Sequence, residues 1–179
     1  MFASRGSSAT TLKMVADAAG VSIGLVQHHF GTKKGLVRAV DQRAFDVLGA
    51  AMGAPLPRPP DEAVTEVGRR VTSLIADYPA VVDYLGRALI EGNPPGDAMF
   101  DALVRIGLGQ WRELAEQQVT RPDLDITWAA LNPLVLVLGA VILRRHTERQ
   151  LPEPFSSPRQ LHRWAEAVNG LLRAGQLHN

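Results

Sequence analysis

The chain has 179 residues, 46% of them apolar, and a formal net charge of +1, so a buried core is available and wholesale disorder is excluded. It holds no cysteine, which rules out disulfides, thiolate catalysis and thiolate metal sites and suits a reducing, cytoplasmic setting. The charge is uneven: residues 1–50 carry Arg5, Lys13, Lys33, Lys34, Arg38 and Arg43 against Asp17, Asp41 and Asp46, so the positive excess sits at the N-terminal end.

Apolar residues recur at three and four, Gly and Pro mark the breaks, and alternating strand-like runs are absent. The pattern predicts an all-α fold. Met1–Thr10 has neither the basic nor the apolar stretch of a secretory leader. Thr11 is placed to cap a short helix with Leu12, Val15, Ala16 and Ala19 on one face, ended by Gly20. Ser22 caps a second short helix to His29, and Gly31 breaks it. Thr32 caps a longer helix to about Met52.

The segment Gly53–Pro60 (GAPLPRPP) cannot continue a helix and reads as a stiff linker. Helices are then expected from Asp61 to about Asp77, from Pro79 to about Glu91, and from Gly96 to about Val119. An apolar helix follows from about Ile126 to Arg149, and an amphipathic one from Pro158 to about Ala174. The apolar run Trp128–Leu143, interrupted by Asn132 and Pro133, is shorter than a bilayer span and reads as a buried helix or subunit interface.

Two short helices joined by a tight glycine turn have helix-turn-helix geometry. Ala16 lets the second helix cross closely, Gly20 can take positive φ, and Val26 plugs the gap between the two. The stretch Ala9–Val37, ATTLKMVADAAGVSIGLVQHHFGTKKGLV, resembles the DNA-binding signature of TetR-family regulators. The Thr-Thr opening, the Ala-Gly-Val-Ser turn, the His-His-Phe ending and the lysines opening the next helix carry that resemblance. It implies a DNA-binding domain over residues 1–52, with a recognition helix at about 22–29. A larger helical effector-binding and dimerisation domain over 53–179 is implied with it.

In a helix-turn-helix the second helix lies in the major groove. Val26 and Phe30 are expected to face inward, with Ile23, Gly24, Gln27 and His28 outward. Gln27 can pair with adenine, Ile23 and Leu25 can meet thymine methyls, and Gly24 allows close backbone approach. Thr11 at a helix N-terminus can hold a phosphate. By the resemblance, His29 and Lys33 contact phosphate too, with Lys34 and Lys13 as further partners. Two departures stand out. Gln27 replaces the family's common tyrosine, and the recognition helix lacks Lys and Arg. Met1–Gly6 also reads as only the last turn of the family's opening helix; loss of that helix would bare Leu12, Val15 and Val37.

His28 and His29 point about 100° apart on a helix and are poor joint metal ligands; no metal or cofactor is expected. No nucleophile with a base at a recognisable spacing is found, and Gly107–Gly109 does not follow a strand, so an enzyme is not expected. The larger domain scatters Tyr84, Arg87, Met99, Phe100, Arg105, Gln110, Trp111 and Asn132 among apolar residues. Apolar walls with a few polar groups line small-molecule pockets. Pro133 beside Asn132 is expected to kink its helix and help open such a cavity. The helices at about 126–149 and 158–174 are the expected homodimer surface, joined as an intersubunit four-helix bundle.

The reading is a homodimeric regulator, a repressor released from a palindromic operator by a small-molecule effector. The alternative is a helical small-molecule-binding or interaction protein whose DNA binding is impaired by the shortened N-terminus.

Overall fold

The computed structural model describes residues 1–57 and 60–177. Every named element among them is helical: α1 (Phe2–Ala9), α2 (Leu12–Ala19), α3 (Ile23–Phe30), α4 (Lys33–Met52), α5 (Pro60–Asp77), α6 (Pro79–Glu91), α7 (Pro94–Glu116), α8 (Ile126–Ile142), α9 (Arg144–Thr147) and α10 (Pro158–Gln176). An isolated bridge joins Thr120 to Leu177. Arg58 and Pro59 of the expected linker lie outside the described residues.

The helix starts are set by short polar side chains. Thr11, Ser22 and Thr32 accept from the backbone N–H of Met14, Leu25 and Gly35, at 3.2, 3.1 and 3.1 Å. Asn93, Asp125 and Ser157 cap α7, α8 and α10 the same way. Each satisfies a donor that the first helical turn leaves without a partner. Pro79, Pro94 and Pro158 open their helices, where the missing N–H is not needed.

α1 is two short helical turns rather than one continuous helix. It is broken at Gly6, which sits at φ 79°, ψ 168°, a region that β-carbon sterics close to other residues. A β-carbon there would stand 2.7 Å from Oε1 of Glu91. Phe2 is buried, and α1 packs along α6. Leu12, Val15 and Val37 are half-buried against the same core.

α4 is the shared element. Leu36, Ala44, Val47 and Leu48 are buried along it, so it runs from the short N-terminal helices into contact with α5, α6 and α7. α5 pairs with α10 and α7 with α8. Arg70 ties the chain after α4 to α5 through the carbonyls of Ala54 and Pro55, at 2.6 and 2.7 Å.

The expected helix at 126–149 is corrected. It stops at Ile142, and the chain turns by 67° into α9 and a short turn over Glu148–Gln150. Beyond Leu143 the sequence becomes charged, and the bend lets Arg144 pair with Asp83 of α6 at 3.1 Å. α8 runs on through Pro133. No single helix among the described residues is long and apolar enough to cross a membrane.

Candidate nucleic-acid interface and apolar cavity

The α2–α3 turn is held by Gly20 at φ 66°, ψ 29°, whose N–H bonds back to the end of α2. Ala16 is 1% exposed and Val26 5%; these two close contacts fix how α3 crosses α2. With its inner face held by Val26, α3 turns Ile23, Gly24, Leu25, Gln27, His28 and His29 to solvent. Ile23 and Leu25 are 45% and 43% exposed, an apolar stretch on an otherwise polar rim that suits a partner surface. The rings of His28 and His29 meet edge to face at 5.6 Å. Phe30 departs from expectation: it is exposed and lies beside His29, at the end of α3 where the chain turns away through Gly31.

Thr11 is exposed at the start of α2, its hydroxyl oxygen engaged by Met14. Lys33 is half-buried, and its Nζ donates to the carbonyl of Ser8 at 2.8 Å. It therefore ties α4 to the end of α1. An ammonium has three donors, which leaves capacity for an anionic oxygen.

A cavity of about 140 Å³ lies between α4, α5, α6, α7 and α8. Of the residues expected to line a pocket, Gln110 and Trp111 do so and the others do not. Tyr84 is buried and donates to Asp41 of α4 at 2.5 Å. Burial, and then the Asp41 carboxylate, raise its phenol pKa well above the usual value. Arg87 gives Nε and Nη2 to the carbonyls of Ala3 and Ser4 of α1, at 2.8 and 2.9 Å, and also pairs with Glu91. Met99 is fully buried in packing, Phe100 is half-buried against the core, and Arg105 and Asn132 are exposed.

The reason is common to these corrections. Helical periodicity says which residues share a face, not which neighbour that face meets. Much of the remaining lining comes from α8, with Leu134, Val137 and Val141, and from α5, where Val64, Val67, Val71 and Ile75 recur at helical spacing. That stripe was visible in the sequence as a core face. Pro133 does line the cavity.

α8 and α10 leave apolar side chains uncovered. Trp128, Val135 and Leu143 recur about two turns apart, more than half exposed, and Leu171 of α10 is 63% exposed.

Residues 1–40 match the family model for bacterial regulatory proteins of the tetR family. The chain is 48% identical over 137 residues to the HTH-type transcriptional repressor KstR2 of Mycolicibacterium smegmatis, a match covering 70% of this chain and 65% of that protein. It superposes on the structure of the ketosteroid transcriptional regulator KstR2 of Mycobacterium tuberculosis with a TM-score of 0.67 at 20% identity, over 100% of this chain and 90% of the other. It superposes on AibR, solved with isovaleryl coenzyme A and operator DNA, with a TM-score of 0.71 at 18% identity, covering 95% and 90%. The chain spans 42% and 65% of the length of the curated relatives it matches. The first forty residues of this chain thus match the DNA-binding domain model of the tetR-family regulators, and the exposed, capped α3 lies inside the matched segment.

Proposed function

We propose that the protein is a cytoplasmic homodimeric transcriptional repressor, without enzymatic activity, that leaves its operator when a small apolar effector enters the cavity between α4 and α8. Residues 1–52 act as the DNA-binding unit and 53–179 as the effector-binding and dimerisation unit. The observation that carries this reading is the course of α4. Its first residues follow the recognition helix, and Leu48 and Met52 near its end line the cavity. Whatever moves the cavity wall therefore moves the helix behind the recognition helix.

Gln27, His28, Ile23 and Leu25 face bases, while Thr11, His29 and Lys33 hold phosphates. α8, the segment to Arg149 and α10 pair with their copies across a two-fold axis, covering Trp128, Val135 and Leu171. Two recognition helices then meet half-sites about one turn of DNA, or slightly more, apart. The effector acts by binding one conformation better than the other. Relatives that include a ketosteroid transcriptional regulator and a protein solved with isovaleryl coenzyme A and operator DNA support an apolar metabolite as effector.

Selection of bound duplexes from random DNA tests the reading. An enriched palindrome is expected. Recovery of no preferred sequence by the folded dimer would favour a small-molecule-binding protein that does not read DNA.

A further inference from the structure

The cavity wall is almost entirely carbon. Among the described lining residues none is charged, and the side chains with hydrogen-bonding groups are Gln110 and Trp111. A charge placed there meets nothing to pair with, which strongly disfavours a charged occupant.

Gln110 is not idle. From α7, its Nε2 donates to the carbonyl of Met52 at 3.2 Å. Met52 is the last residue of α4 and itself lines the cavity. The last carbonyls of a helix have no donor within the helix, so Gln110 serves as a side-chain cap for α4 at the cavity edge. At 3.2 Å the bond is at the long end of the range for N–H···O. It joins the lined cavity directly to α4, the helix that follows α3.

On the proposed effector reading, we infer that Gln110 is the residue that reads the effector and relays its presence. The part of the effector inside the cavity is an uncharged apolar body carrying one hydrogen-bond acceptor, such as a ketone or ester carbonyl. That acceptor draws the Gln110 amide inward and stretches or breaks its bond to Met52. The end of α4 is released, and the recognition helix loses its spacing.

Three probes of similar size separate the claims: ethylbenzene, acetophenone and benzoate, each titrated into the full dimer with its selected duplex. Ethylbenzene and acetophenone should bind and benzoate should not. At equal occupancy acetophenone should weaken operator binding by about 2- to 10-fold, the range for loss of one hydrogen bond, and ethylbenzene should act less. The near-isosteric Gln110→Met should bind both apolar probes, show operator affinity already lowered by a similar factor, and gain no further response to acetophenone. Benzoate binding as tightly as acetophenone, or an unaltered acetophenone response in Gln110→Met, would overturn the inference while leaving the pocket intact. If no probe enters the folded protein, the effector-pocket reading itself fails. Should Gln110→Met not fold, the side-chain amide resonance of Gln110 in the unaltered protein decides. Acetophenone must shift it more than ethylbenzene does, and equal shifts would refute the inference.

Discussion

Replacing Arg87 of α6 by methionine removes the guanidinium while keeping most of the apolar stem that lies beside Gly6 of α1. Two hydrogen bonds to α1 disappear, those to the carbonyls of Ala3 and Ser4. These carbonyls lie just before the break at Gly6, where the regular helical ladder is interrupted. Arg87 supplies donors that the continued helix would otherwise provide. A bond to a charged group contributes about 1.5–3 kcal/mol when shielded. The Arg87 side chain is 36% exposed, so water recovers part of this. About 1 kcal/mol for each bond is reasonable, or roughly 2 kcal/mol for the docking of α1. That corresponds to about a 30-fold fall in the ratio of docked to undocked α1. The change is centred on α1, which contributes Phe2 to the buried residues of the main core and Ala3 to its edge. Amide hydrogen exchange should therefore quicken across residues 2–9, with α7, α8 and α10 unaffected. Ligand binding in the cavity should be retained. Unchanged protection across residues 2–9 would show that Arg87 does not hold α1, and loss of cavity binding would restore it to the pocket.

Four further substitutions test other parts of the structure. Gly6→Ala forces a side chain into positive φ and against Glu91, which should destabilise by about 1–3 kcal/mol; Gly49→Ala, in open space on α4, should be neutral or stabilising in the same thermal melts. Hydrogen bonds from Arg69 and Arg70 hold the Glu66 carboxyl down at about 2, from an ordinary value near 4.5. Because the folded value is depressed, this stabilisation is complete above about pH 4.5 and is lost as pH falls towards 2; Glu66→Gln should flatten acid unfolding in that window, and an unchanged profile would count against it. Val135→Glu, at an exposed site of the apolar α8 face, should convert dimer to monomer in sedimentation without loss of helicity, whereas a persistent dimer would place the interface elsewhere.

The N-terminal helices were legible because their signals are local. Thr11, Ser22 and Thr32 each cap through their own next turn, and Gly20 and Gly31 end the preceding helices. The cavity was legible only where a polar or bulky residue sits in an apolar stretch, as with Gln110 and Trp111. Tyr84 and Arg87 are equally conspicuous in sequence, but their partners lie on α4 and α1, more than forty and eighty residues away. Periodicity carries no information about such pairings. The bend after Ile142 was missed for a related reason: no Gly or Pro marks it, and it is accompanied by a tertiary ion pair between Arg144 and Asp83. Phe30 looked like core by composition, yet it ends its helix where no neighbouring element covers it.

The account stands most directly on whether the exposed face of α3 reads DNA. The measurement is titration of the selected duplex, at fixed salt, with the unaltered dimer and with the double substitution Gln27→Ala and His29→Ala. Specific binding should fall in the range of about 10⁻⁸ to 10⁻¹¹ M for the unaltered protein. The double variant, still a folded dimer, should bind the selected duplex no better than a random one. Equal affinity of the two proteins for the selected duplex would contradict the assignment of α3 as the recognition helix.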